Sequence, residues 1–114
     1  MKLLLGLVLS SILSLGVIGP LRGKSYFPMH DDTQVARVVV MGRALRQGQF
    51  PVRWVSDLGY GYGYPIFNFY GPLPYYVGGS LYAVGVDGAT ATKIMFGIGA
   101  VLAGIFCFLL LESV

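Results

Sequence analysis

Two uncharged apolar runs bracket this chain. Leu3 to Leu21 carries no charge, and Ile94 to Leu111 lies uninterrupted between Lys93 and Glu112. At about 1.5 Å of rise per helical residue, each run covers close to the hydrocarbon thickness of a bilayer, roughly 30 Å. The pattern predicts two transmembrane helices. A cleaved signal peptide is the rival for the first run, since Met1-Lys2 gives a minimal basic start. No Ala-x-Ala-like site precedes Pro20, however, which favours an uncleaved signal-anchor. In the second run Gly97, Gly99, Gly104, Ala100 and Ala103 would let another helix approach closely. The ordinary glycine content of a spanning helix accounts for them equally well.

Between the runs the periodicity changes. Thr33 to Gln47 reads as a helix, with Asp31 or Asp32 as its N-cap and Gly48 as its stop. Val35, Val38, Val39, Gly42 and Leu45 share one side at about 100° per residue. Arg37 projects away from that stripe, Arg43 flanks it and Arg46 falls inside it. Leu58 to Val86 contains no charge, yet Pro65, Pro72 and Pro74 break its first half as a span. Leu73 to Val86 is therefore expected to be a second short amphipathic helix, with Pro74 in its first turn. Asp87-Gly88 then turns the chain into the last run. The predicted class is an all-α membrane protein: residues 1–22 a first transmembrane helix, 23–93 an interfacial loop with two juxtamembrane helices, 94–114 a second transmembrane helix.

Composition narrows the function. Of the 114 residues 55% are hydrophobic and 11% charged, against about 25% charged in soluble domains. This argues against a water-soluble globule and against a disordered tail. A net charge of +3 without a basic run excludes nucleic acid as partner. The single Cys107 excludes an internal disulfide and a cysteine metal site. All eight tyrosines and the only tryptophan, Trp54, lie between Tyr26 and Tyr82. Tyr and Trp collect at the headgroup level, so the loop is expected to lie on membrane lipid. Seven of the eight Lys/Arg fall from Arg22 to Lys93, but the positive-inside rule weakens beyond loops of about 60 residues. Charge leaves sidedness open. The chain stops three residues after the second run, which reads as the amino-terminal part of a larger protein whose remaining helices are its partners.

Candidate chemistry is sparse. His30-Asp31-Asp32 is the one cluster of ionisable groups; its carboxylates could take a hard divalent cation through oxygen or act as a general base. No other cofactor is implied. An Asp N-cap with a solvated neighbour is the plain alternative. Gly-Tyr-Gly at 59–61 and 61–63 has the look of a potassium filter, but Asp57-Leu58 stands where Thr-Val would be needed.

The order of features is more specific than any one of them. A first span is followed by His30-Asp31-Asp32, then by Arg37 in an amphipathic helix and by Gly48-Gln49-Phe50-Pro51-Val52-Arg53-Trp54. Tyr70-Gly71-Pro72-Leu73-Pro74-Tyr75-Tyr76 and a second span complete the series. From about Phe27 to Leu111 this resembles the amino-terminal region of GT-C-type integral membrane glycosyltransferases. Within them it is most similar to the bacterial membrane family labelled as related to pyruvoyl-tetrahydropterin synthase. The resemblance implies a loop facing outside the bacterial inner membrane, a polyprenyl-phosphate-linked sugar donor, and an acid at the catalytic centre just after the first span. Asp31 matches the leading acid and Asp32 the second. His30, Arg37, Arg53, Tyr70 and Tyr75 become candidate substrate-binding residues. Gly71 stands in place of the first proline of the family's Pro-Pro-Leu stretch. The pterin-synthase chemistry of the label is not carried over, because no Cys/His metal constellation is present. Arg37, Arg43, Arg46 and Arg53 could each hold the donor phosphate, since guanidinium matches phosphate bidentately; anionic lipid headgroups are their alternative ligand. A non-catalytic membrane protein whose loop serves lipid contact or assembly is the competing function.

Overall fold

The computed structural model describes residues 2–23, 31 and 33–113. Among these the chain is helical: α1 is Lys2–Val17, α2 Gln34–Arg46, α3 Leu73–Ala83 and α4 Gly88–Ser113, with short 3-10 turns between them. The one pairing of extended backbone is the bridge between Val55 and Tyr64. Two units result, one of α1 with α4 from Phe96 onward, the other of Asp31 and residues 33–95.

Among the described residues one helix, α4, is long and apolar enough to cross a membrane. Its 26 residues would extend about 39 Å. The helix begins six residues ahead of the apolar run. Asp87 makes this possible, accepting the backbone N–H of Thr90 at 3.0 Å and its hydroxyl at 3.2 Å. Capped in this way, the helix continues through Lys93 without interruption. The first turn also holds the Asp87 carboxyl below its ordinary range, mainly through the Thr90 N–H. Asp87→Ala should therefore fray the start of α4. Faster amide hydrogen exchange at Ala89 to Ala91 would reveal it, and unchanged exchange would remove the cap from the account.

The amino-terminal run behaves differently. Regular helix ends at Val17, and Gly19–Arg22 tightens into a 3-10 turn containing Pro20. Proline supplies no N–H and crowds the preceding turn. At 16 residues α1 extends about 24 Å, short of the roughly 30 Å hydrocarbon core. Within this unit Ser10 Oγ donates to the Gly104 carbonyl at 2.7 Å. Ser11 and Ser14 return their hydroxyls to Leu7 and Ser10 carbonyls, both at 2.8 Å, which leaves few unmet donors on an apolar helix.

The region between the runs has a core of its own. Val38, Met41, Phe67, Tyr75, Ala91 and Met95 are all buried, so α2, α3 and the first two turns of α4 close on one another. Glycines set the closeness of α2 to α3. A Cβ on Gly42 would lie 2.6 Å from the Gly79 carbonyl oxygen, and one on Gly79 would lie 2.5 Å from Met41 Cγ. Both helices stop in the same way. Gly48, at φ 79°, and Gly85, at φ 107°, take the left-handed position. Crossed bonds follow, from Gln49 N to Ala44 O and from Val86 N to Leu81 O, each 3.0 Å. Gly48 is the predicted stop of α2. For α3 the stop comes earlier than expected, at Gly85, because glycine alone accepts that φ readily.

Candidate functional site

The site forms where α2 begins. The sequence suggests an Asp N-cap, but Thr33 holds that position and makes no side-chain cap bond. Asp31 instead folds its carboxylate over the entry. Its Oδ1 accepts the Thr33 N–H at 3.0 Å and the Thr33 hydroxyl at 2.5 Å. Its Oδ2 pairs with Arg37 Nη1 at 2.8 Å. The two Thr33 donors do most to lower the Asp31 pKa, partial burial opposes them, and the Arg37 charge adds to the lowering. The carboxylate is ionised at neutral pH.

Arg37 departs from the sequence reading. The helical wheel places it away from the apolar stripe, yet in the fold it is 8% exposed. Its Cζ lies 4.3 Å from the Tyr70 ring centroid, a cation–π distance. Nη1 also makes a long contact of 3.4 Å to the Tyr75 hydroxyl, which donates in turn to Gln34 Oε1 at 2.7 Å. Burial alone would lower the Arg37 pKa, but the Tyr75 bond and the Asp31 charge outweigh it and raise it. Nε has no hydrogen-bond partner among the described residues. Tyr75 itself is buried against Phe67, with ring centroids 5.5 Å apart.

Asp31, Arg37, Tyr70 and Tyr75 are thus brought together from the entry to α2, α2 itself, the turn before α3, and α3. Arg53 is exposed and makes no hydrogen bond or ion pair among the described residues. His30 and Asp32 lie outside the described residues. No group of three His, Cys, Asp or Glu that could hold a metal occurs among the described ones. Thr33 and Gln34 were missed. Their signal was local: a hydroxyl two residues after an Asp suits an Asx turn, and Gln34 is one helical turn before Arg37.

The other two arginines are engaged in holding the fold. Arg46 reaches from α2 to the end of α3, donating from Nε to Ala83 O at 2.9 Å and from Nη2 to Tyr82 O at 2.6 Å. The Tyr82 carbonyl also accepts the Gly85 N–H at 3.0 Å, and a cation at this helix end suits the helix dipole. Arg43 pairs with Asp57 at 2.8 Å on the surface. Of the four arginines, Arg53 is the one without a hydrogen bond or ion pair among the described residues.

The arrangement offers a fixed, ionised carboxylate beside a buried cation. Thr33 and Arg37 occupy three of the roughly four acceptor positions of Asp31, so one remains for a hydroxyl from a ligand. No protein-family model, curated protein or solved structure matches the chain.

Proposed function

We propose that the chain is the amino-terminal part of a GT-C-type membrane glycosyltransferase that uses a polyprenyl-phosphate-linked sugar. In this reading α1 and α4 both cross the inner membrane of a bacterium, α1 together with the turn that follows it, and residues 23–93 face outside. Asp31 carries the chemistry. An acceptor hydroxyl must lose its proton as it attacks the anomeric carbon, and a carboxylate within hydrogen-bond reach takes that proton. The supporting observation is that Asp31 is held ionised and oriented by Thr33 and Arg37. Arg37 positions the carboxylate, with Tyr70 and Tyr75 bracing it. Arg53 is the guanidinium left for the donor phosphate. The remaining helices of the full-length protein would complete the cavity for the lipid-linked sugar.

The competing reading, a non-catalytic protein whose loop serves assembly or lipid contact, takes the same Asp31–Arg37 pair as a device for starting α2. One substitution separates the two. In the full-length protein, Asp31→Asn should lower sugar transfer about a hundredfold while leaving membrane insertion intact. Transfer at the original rate would take Asp31 out of the chemistry.

A further inference from the structure

Residues 54–64 form a loop that is pinned at both ends and uncovered in its middle. Val55 and Tyr64 exchange backbone bonds, Val55 N to Tyr64 O at 3.1 Å and Tyr64 N to Val55 O at 2.9 Å. Gly63 lies so close beneath the Trp54 indole that a Cβ there would collide with it. Between these ends Gly59, Tyr60 and Gly61 all take positive φ. Tyr60, at φ 57°, is the single non-glycine among the described residues to do so. That conformation costs a tyrosine more than a glycine, and sustained local strain is a mark of a side chain in use. The strain here holds an apolar ring out of the fold. Tyr60 is fully exposed, Tyr62 is 88% exposed and Trp54 52%.

Charge and continuity indicate what covers these rings. The described residues from Asp31 to Met95 carry Arg37, Arg43, Arg46, Arg53 and Lys93 against Asp31, Asp57 and Asp87. Arg53, beside Trp54, is exposed without a hydrogen bond or ion pair among the described residues, which suits anionic lipid. The same unit contains the buried first turns of α4, through Ala91 and Met95, and α4 is the helix long enough to span. Tyr60 and Tyr62, set between glycines, are left almost wholly uncovered. That arrangement suits the fluid headgroup layer, where Tyr and Trp collect, better than the close-packed core of a protein interface.

We infer that the 54–64 loop is a membrane anchor, with Tyr60, Tyr62 and Trp54 seated in the headgroup region of an anionic bilayer. The inference rests on the proposal that α4 crosses that bilayer, and it is independent of sugar transfer. Two residues that occur once report on the two ideas separately. Trp54 emission reads the loop, and Cys107 in α4 reads the span. The full chain would be placed in vesicles of about three parts phosphatidylcholine to one part phosphatidylglycerol. Some of the lipid would be brominated near the top of the acyl chain. Trp54 should be quenched by the brominated lipid and shielded from aqueous iodide, with Cys107 protected from an impermeant maleimide. Tyr60→Gly combined with Tyr62→Ser should remove about half of the lipid quenching and raise iodide access about twofold. Thermal stability should hold or rise in that variant, because glycine accepts the φ of residue 60 without strain. A protected Cys107 with Trp54 open to iodide would overturn the anchor and leave the span. Trp54 shielded from iodide but unquenched by lipid would assign the loop to a protein partner instead, and undiminished quenching in the double variant would show that the rings do not anchor. Labelling of Cys107 would remove the span, and the anchor with it.

Discussion

Gly42→Ala is expected to destabilise the unit of residues 33–95 by roughly 2–3 kcal/mol. The sign is the informative part, because the same exchange in an open helix gains up to about 1 kcal/mol from alanine's better helix propensity. At Gly42 the new methyl would stand 2.6 Å from the Gly79 carbonyl oxygen and 2.6 Å from Tyr82 Cδ1. The first of these is backbone and cannot rotate away. Relief requires α2 and α3 to separate, which would loosen Val38 and Met41, both fully buried between them. Separation would also pull Arg46 from the Tyr82 and Ala83 carbonyls it caps. Gly99→Ala is the matched control, since a Cβ there meets nothing within 4 Å. Unfolding in detergent followed by Trp54 emission should place the Gly42 variant below the parent chain and the Gly99 variant level with it. Equal behaviour of the two would mean that α2 and α3 do not meet through these glycines.

That packing also shows what the sequence made legible. The stop of α2 at Gly48 and the start of α3 at Leu73 were both readable, because a left-handed glycine and a proline in the first turn are local signals. The buried side of α2 was only half readable. Val38 and Gly42 belong to the expected stripe and are buried, but Val40 and Ala44, outside it, are buried as well. Val40 and Ala44 share a crevice with Trp54 and Val55, so the 52–58 segment covers a second side of the helix that periodicity cannot reveal. Taking the loop as a stretch lying on lipid, too poor in charge to be a globule, also missed its core. Most of its burial is apolar against apolar, between segments far apart in sequence.

The site was legible in composition and illegible in geometry. Asp31, Arg37, Tyr70 and Tyr75 were each singled out, yet nothing in the spacing shows an arginine buried by tyrosines 33 and 38 residues further on. Helical periodicity puts Arg37 off the apolar stripe. Here the guanidinium's planar faces and multiple donors let it enter a core that would reject a bare point charge. Arg43 and Arg46 illustrate the converse. Both were plausible phosphate ligands by type, and the structure gives them carboxylate and carbonyl partners within the protein.

Arg37→Met should cost about 1–2 kcal/mol through the lost hydrogen bonds and ring stacking and should disorder the Asp31 carboxylate at the same time. Methionine fills much of the same volume, so the loss reflects charge and hydrogen bonding more than a cavity. Removal of the guanidinium leaves Asp31 Oδ2 without its 2.8 Å partner and takes away the cation stacked on Tyr70. Arg37→Lys should recover only part of the loss, because an ammonium cannot lie flat on the Tyr70 ring while reaching both Asp31 and Tyr75. Acid distinguishes this account from simple packing. Asp31 has a pKa lower in the folded chain than in the unfolded one. Its contribution is therefore present above the ordinary carboxylate range and disappears as pH falls through the folded value. The Arg37 pKa is raised, so its proton stays on throughout and adds no slope. The parent chain should thus lose the part of its advantage over Arg37→Met that comes from the Asp31 pair, the gap between the two unfolding curves narrowing below about pH 4 and the part due to Tyr70 and Tyr75 persisting. A gap between them that is constant from neutral to acid pH would show that Arg37 acts by packing alone, and Asp31 would then lack the partner that holds it ready.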